Sequence, residues 1–132
     1  MSQPLENVRV GMTGHKEVLV THELTVGAHV DGMPLVYGTP FMIIAMEIAS
    51  GEAVKAHLPS GWVTVGSAVN VRHLAPTLMG RTVVATARVI EVAERSILFA
   101  VEAHEGTRMI GEGTHRRGAV NLESFAKCFG PT

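Results

Sequence analysis

A single cysteine, Cys128 near the C-terminus, excludes an internal disulfide and suits a reducing compartment, with nothing left over for a redox pair. Charge is scarce, at 17% of residues, and nearly balanced at a formal net charge of −1. Neither a nucleic acid nor an anionic membrane is therefore an expected partner. No apolar run is long enough to span a bilayer, and residues 1–11 carry Glu6 and Arg9 without the apolar core of a signal peptide. A cytoplasmic protein is expected. Serine-hydrolase G-x-S-x-G, Walker and dinucleotide glycine motifs are all missing, as are repeats, linkers and low-complexity tracts. What is plentiful is apolar character, 46% of 132 residues. That size predicts one domain covering residues 1–132, and the apolar excess suits an oligomer in which a second subunit completes burial.

The chain is organised around residues 38–58, which read as one long central helix. Thr39 suits the N-cap and Pro40 the first helical position, where a missing N–H does no harm. From Phe41 to Ala49 every residue except Glu47 is apolar, which predicts an enclosed helix with one carboxylate inside it. An isolated buried charge is costly, so Glu47 must find a partner, become neutral or do chemistry. Ala45, Ala49, Ser50, Gly51 and Ala53 are small enough for a sheet to approach the backbone, and Gly51 in particular predicts a packing reason. Leu58-Pro59-Ser60-Gly61 ends the helix.

Before it, residues 17–26 have the β-branched content of a strand, and residues 27–37 form a loop placed to roof a pocket. After it, residues 63–73 alternate with period two: Val63, Val65, Ser67, Val69, Val71 and His73 share one face in a regular strand. His73 then points toward whatever that face covers. Residues 82–92, 96–104 and 108–120 predict three more strands with short turns, hence antiparallel pairing, with Ile97, Phe99, Val101 and Ala103 as a core stripe. Glycines in the last strand predict bulges or close backbone approach, and residues 122–129 a turn or two of helix. The fold class is α+β: a five-stranded antiparallel sheet wrapped around one long helix, the outline of a hotdog fold.

Thr39, Glu47 and His73 are the chemical candidates, with His115-Arg116-Arg117 as an accessory segment. Thr39 and Glu47 are eight residues apart, about 12 Å along a helix axis, a gap a bound substrate can span. The helix N-terminus beside Thr39 suits a carbonyl oxygen that gains charge. Each residue also has a simpler reading: Thr39 as a helix cap, Glu47 as a paired structural carboxylate, His73 as a satisfied strand-end histidine. Arg116 and Arg117, adjacent in a strand, must face opposite ways. His15, His22 and His29 recur every seven residues, a spacing that gathers ligands on neither a strand nor this glycine-broken segment, so no metal site is expected.

The runs TPFMIIAMEIAS, VGSAVNVRHLAPTLMG and AHEGTRMIGEGTHRRGAVNLESF together resemble the hotdog-fold thioesterases of the fluoroacetyl-CoA thioesterase type, over residues 36–125. The resemblance implies a catalytic set of Thr39, Glu47 and His73. It also matches Gly80, after the histidine loop, and Arg117, after the G-T-H segment, to family positions. It implies a homodimer with sheets joined edge to edge and active sites at the subunit interface; pairing of dimers into tetramers is left open. Two departures stand out. Pro40 follows Thr39 where the fluoroacetyl-specific enzyme has glycine, and Met33 and Val36 stand in the lid-like stretch that carries phenylalanines there.

The expected function is hydrolysis of a small or medium acyl-CoA to a carboxylic acid and free coenzyme A, with no cofactor beyond the CoA of the substrate itself. Glu47 serves as nucleophile or as base, His73 exchanges protons, and Thr39 helps hold the oxyanion. Met33, Val36 and Phe41 are expected to shape the acyl pocket, beside Gly80 and Arg117. Two alternatives stay open: a hotdog module that binds acyl-CoA without turning it over, and an enoyl-thioester hydratase.

Overall fold

The computed structural model describes residues 3–129. The central helix, α1, spans Thr39–Val54 and ends in a 3-10 turn, Lys55–His57. Its N-cap is Gly38, in extended conformation, and Thr39 lies inside the first turn with no side-chain capping bond. This corrects the cap expectation: Pro40 sits in the first turn, and the Thr39 hydroxyl is left for another partner.

The strands are β1 (Thr13–Leu19), β2 (Trp62–His73), β3 (Thr82–Val92), β4 (Ser96–Glu105) and β5 (Arg108–Asn121), and a short helix, α2 (Leu122–Lys127), follows. They form one antiparallel sheet in the order β1-β3-β4-β5-β2. The chain leaving α1 thus travels to the far edge, so β2 has β5 on one side and an open ladder on the other. No helix is long and apolar enough to cross a membrane among the described residues.

The core is the face of α1 carrying Met42, Ala45, Met46, Ala49 and Ala53 against Val83, Ala85, Ala87, Phe99 and Val101 of the sheet, all buried. Each large side chain removed from water there contributes roughly 1.5–3 kcal/mol. Small residues matter where β1 crosses the helix: a methyl group on Gly14 would run into the backbone of Ala49 and Ala53. Gly51 has no such constraint. A carbon added there meets only the Arg117 guanidinium, at 3.8 Å, so the expected close contact belongs to Gly14 instead.

Three expectations change. The first strand lies earlier than residues 17–26, because the Thr25 hydroxyl donates to the His22 carbonyl at 2.7 Å and accepts from the Ala28 N–H at 3.3 Å. Those bonds stabilise 3-10 turns at His22–Leu24 and Val26–Ala28 in place of a ladder. Second, α1 is not enclosed all round. Ile44 and Ile48 are 48% and 42% exposed, because the sheet covers only the opposite face of the helix. Third, β2 does not alternate regularly. Gly66 pairs with Arg117 and Ala68 with Arg116, so Ser67 is an extra residue in a bulge. Gly66 lies against Glu47 and His73 against Thr39, both on the helix side although seven residues apart. An odd separation puts residues on opposite faces of a regular strand; the bulge brings them back to one.

Candidate active site

Two groups of polar side chains flank α1. At its N-terminus the Thr39 hydroxyl is hydrogen-bonded to His73 Nδ1 at 2.7 Å, joining the first turn of the helix to the end of β2. Burial lowers the His73 pKa below its ordinary value, against a smaller opposing effect of the Ala75 backbone, so the ring is neutral at neutral pH. Its Nε2 is buried and has no hydrogen-bond partner among the described residues. The pair borders a cleft of about 310 Å³ lined also by Val26, Val36, Tyr37 and Leu74.

Two turns further along, Glu47 reaches over β2 and β5. Its Oε1 lies 3.8 Å from Arg117 Nη1 and 3.8 Å from His115 Nε2. It can rest there because position 66 is glycine: a side-chain carbon at that point would collide with the carboxylate. Arg117 is held by Thr64, through Nε to the hydroxyl at 2.8 Å and through Nη2 to the main-chain carbonyl at 2.7 Å. Its pKa is lowered by burial, with the Glu47 charge acting in the opposite sense. Glu47 is not the enclosed carboxylate that the helix pattern suggests, since its side chain keeps 37% exposure. It forms part of the wall of a cleft of about 450 Å³ with Ile44, Ile48, Gly51, Trp62, Thr64 and Arg117. A carboxylate facing an arginine, yet open to a cleft, can attack or deprotonate what enters.

Within the described chain, Thr39 and His73 meet, as do Glu47 and Arg117, whereas Glu47 makes no bond to Thr39 or His73. Arg116 turns the other way, toward Ser96 at 3.1 Å and Glu91 at 3.6 Å, as adjacency in a strand requires. Of the residues matched to substrate binding, Val36 lines the smaller cleft. Met33 is exposed, and Phe41 lies in the first turn of α1 with its ring 5.4 Å from that of His29. Gly80 has a positive φ of 93° and donates its N–H to Val20, holding the turn into β3. The sequence singles out neither Thr64 nor Gly66 as a site residue, and His115 only as part of the accessory basic segment, although a glycine inside a strand is a signal for close approach. No group of three His, Cys, Asp or Glu side chains is clustered for metal ligation among the described residues.

A family model described as fluoroacetyl-CoA-specific thioesterase matches residues 20–123. The fluoroacetyl-CoA thioesterase of Streptantibioticus cattleyicolor is 40% identical over 92 residues, which is 70% of this chain and 66% of that protein. The match thus spans just under two thirds of the relative's length. A solved structure of the fluoroacetyl-CoA thioesterase FlK superposes with a TM-score of 0.87 at 34% identity, covering 96% of this chain and 99% of that one. A Thermus thermophilus protein of the thioesterase superfamily gives a TM-score of 0.86 at 28% identity, covering 94% and 92%. With the same antiparallel sheet around one long helix, the chain has the hotdog fold of these thioesterases and belongs to the fluoroacetyl-CoA-specific thioesterase family.

Proposed function

We propose that this single-domain protein hydrolyses a small or medium acyl-CoA thioester, and that it does so as a homodimer whose sites are shared between subunits. The observation that carries the reading is the separation of Glu47 from the Thr39–His73 pair along an open sheet edge. Gly66, beneath Glu47, lies in the first half of β2 and His73 is its last residue, and β2 has no strand on its outer side among the described residues. Antiparallel pairing of two β2 edges about a two-fold axis sets the start of one strand against the end of the other. Glu47 of one subunit then faces Thr39 and His73 of the partner subunit. The same contact covers the apolar side chains Ile44, Ile48 and Val69, which are 42–48% exposed in the single chain. Pairing of dimers into tetramers is not needed for the site.

In the reaction, water adds to the thioester carbonyl, the C–S bond breaks, and the coenzyme A thiolate takes up a proton. Glu47 acts as the base that removes the proton from water, or as the nucleophile that forms a mixed anhydride which water then opens. Neutral His73 exchanges protons with water or the departing thiolate. Thr39 and the helix N-terminus hold the carbonyl oxygen as it gains charge. The sequence calls for no metal or redox cofactor, and the exposed lone thiol of Cys128 suits the reducing cytoplasm.

The test is thiol release from short, medium and aromatic acyl-CoAs by wild type and Glu47→Gln in parallel. Release by wild type and a loss of orders of magnitude in the variant are expected. Near-normal turnover by the variant rejects the assignment of Glu47, and tight acyl-CoA binding without thiol release favours a binding module.

A further inference from the structure

His115 is the one buried histidine among the described residues, at 2% exposure, and the reaction just described gives it no part. Its contacts define its protonation. Nδ1 lies 2.9 Å from the Ala68 carbonyl oxygen, which can only accept, so Nδ1 carries a hydrogen. Nε2 lies 3.2 Å from Nη1 of Arg117, which can only donate, so Nε2 bears the lone pair. A protonated ring would set two donors face to face. The remaining corners of the guanidinium are tied to Thr64. With His115 taking one Nη1 hydrogen, all three guanidinium nitrogens are held, and the plane is set with Nη1 3.8 Å from Glu47 Oε1.

We propose that His115 is a positioning residue for Glu47: anchored by the Ala68 carbonyl beside the β2 bulge, it holds Arg117 in the rotation that fixes the carboxylate at the cleft wall. It makes no hydrogen bond to Glu47, whose Oε1 lies 3.8 Å from Nε2, and acts on it through Arg117; the role rests on the reading of Glu47 as the reactive carboxylate. The surroundings suit a neutral ring. Phe99 of β4 stacks on it at 6.5 Å between centroids, Gly66 of β2 leaves room for its Cε1 edge, and the charged groups facing it are Arg117 of its own strand and Glu47 of α1. Burial lowers its pKa, as does the Arg117 charge, while the bond to Ala68 and the Glu47 charge oppose them.

Two isosteres separate the roles of the ring nitrogens. Asparagine keeps a donor near the Nδ1 position and loses the acceptor for Arg117; glutamine keeps an acceptor near Nε2. With a hydrolysable acyl-CoA, His115→Asn is expected to lower kcat about 10- to 100-fold with KM little changed, as for a small misplacement of a reacting group. His115→Gln is expected to recover most of that loss. Nitrogen NMR of the wild-type imidazole, which requires no variant to fold, is expected to show the neutral Nδ1–H tautomer at neutral pH. Full activity in His115→Asn, equal losses in both variants, or an Nε2–H or doubly protonated ring overturns the proposal while leaving thioester hydrolysis intact. A wild-type protein that releases no thiol overturns the hydrolase reading, and with it the catalytic meaning of this contact.

Discussion

The sharpest perturbation of the proposed site is one added methyl group, Gly66→Ala. The new carbon would lie 3.5 Å from Glu47 Cδ and 3.0 Å from His115 Cε1, and would overlap Oε1 of the carboxylate. No backbone atom is among these neighbours. Relief therefore comes from swinging the free end of Glu47 away, by about 1 Å, and from a smaller shift of the His115 ring, rather than from deforming the sheet. A misplacement of that size costs on the order of 100-fold in rate, about 2.7 kcal/mol of transition-state stabilisation. Stability should barely change, because alanine is favoured over glycine in a strand by roughly 0.5–1 kcal/mol, which offsets the crowding. The assay is kcat and KM for thiol release together with the melting temperature. Unchanged kcat/KM in a folded Gly66→Ala protein would refute the reasoning, because it would mean that the position of the carboxylate over Gly66 does not matter. A collapse of the melting temperature would refute it differently, by showing that the backbone cannot take the carbon.

Mixing Glu47→Gln and His73→Ala homodimers, each inactive alone, should restore up to about a quarter of wild-type activity once subunits exchange, since half the dimers are mixed and each of those has one intact site. No recovery, with exchange verified by mass, would place Glu47 and His73 of one site on the same subunit. Thr39→Val keeps the shape of the side chain but removes its bond to His73, and should lower kcat about tenfold or more with little effect on the fold; a variant as fast as wild type would assign Thr39 to structure alone. Acidification should destabilise the protein in a defined window. His73 and His115 both have folded-state pKa values pushed below the ordinary 6.5, chiefly by burial, so the unfolded chain takes up protons first. Their destabilising contribution begins as pH falls through 6.5 and levels off below the folded values; melting temperatures across that range should fall for wild type and fall less for His115→Gln.

Much of the architecture was legible because burial writes a period into the chain. β3 and β4 were placed almost to the residue, and all four members of the Ile97 to Ala103 stripe are buried. Pro40 and the Leu58-Pro59 stop bracketed α1 for similarly local reasons. What was lost depended on contacts that no local pattern encodes. β-branched content suggested a strand over residues 17–26, but it ends at Leu19, and beyond it two hydrogen bonds of one hydroxyl, that of Thr25, favoured turns. The run from Phe41 to Ala49 implied enclosure, yet Ile44 and Ile48 stay exposed, because composition does not say whether the cover comes from the same chain. Thr39 and His73 were picked out separately, and their direct bond appears only once β2 is seen to end beside the first turn of α1. His115 was visible as part of a basic segment, and its bond to Ala68 follows from strand pairing across 47 positions.

The bulge at Ser67 turns a length into a chemical constraint. Between Gly66 and His73 the count of residues decides which side of the sheet each faces, so a single insertion or deletion there acts as a phase error. Point substitutions in this stretch are graded in effect; a one-residue indel is not. Removing Ser67 would give a more regular ladder and leave every proposed catalytic residue in the chain, while turning either Gly66 or His73 away from the helix. When relatives are aligned, a one-residue gap between these two positions therefore marks a protein whose site has been rebuilt, however well the flanking residues agree.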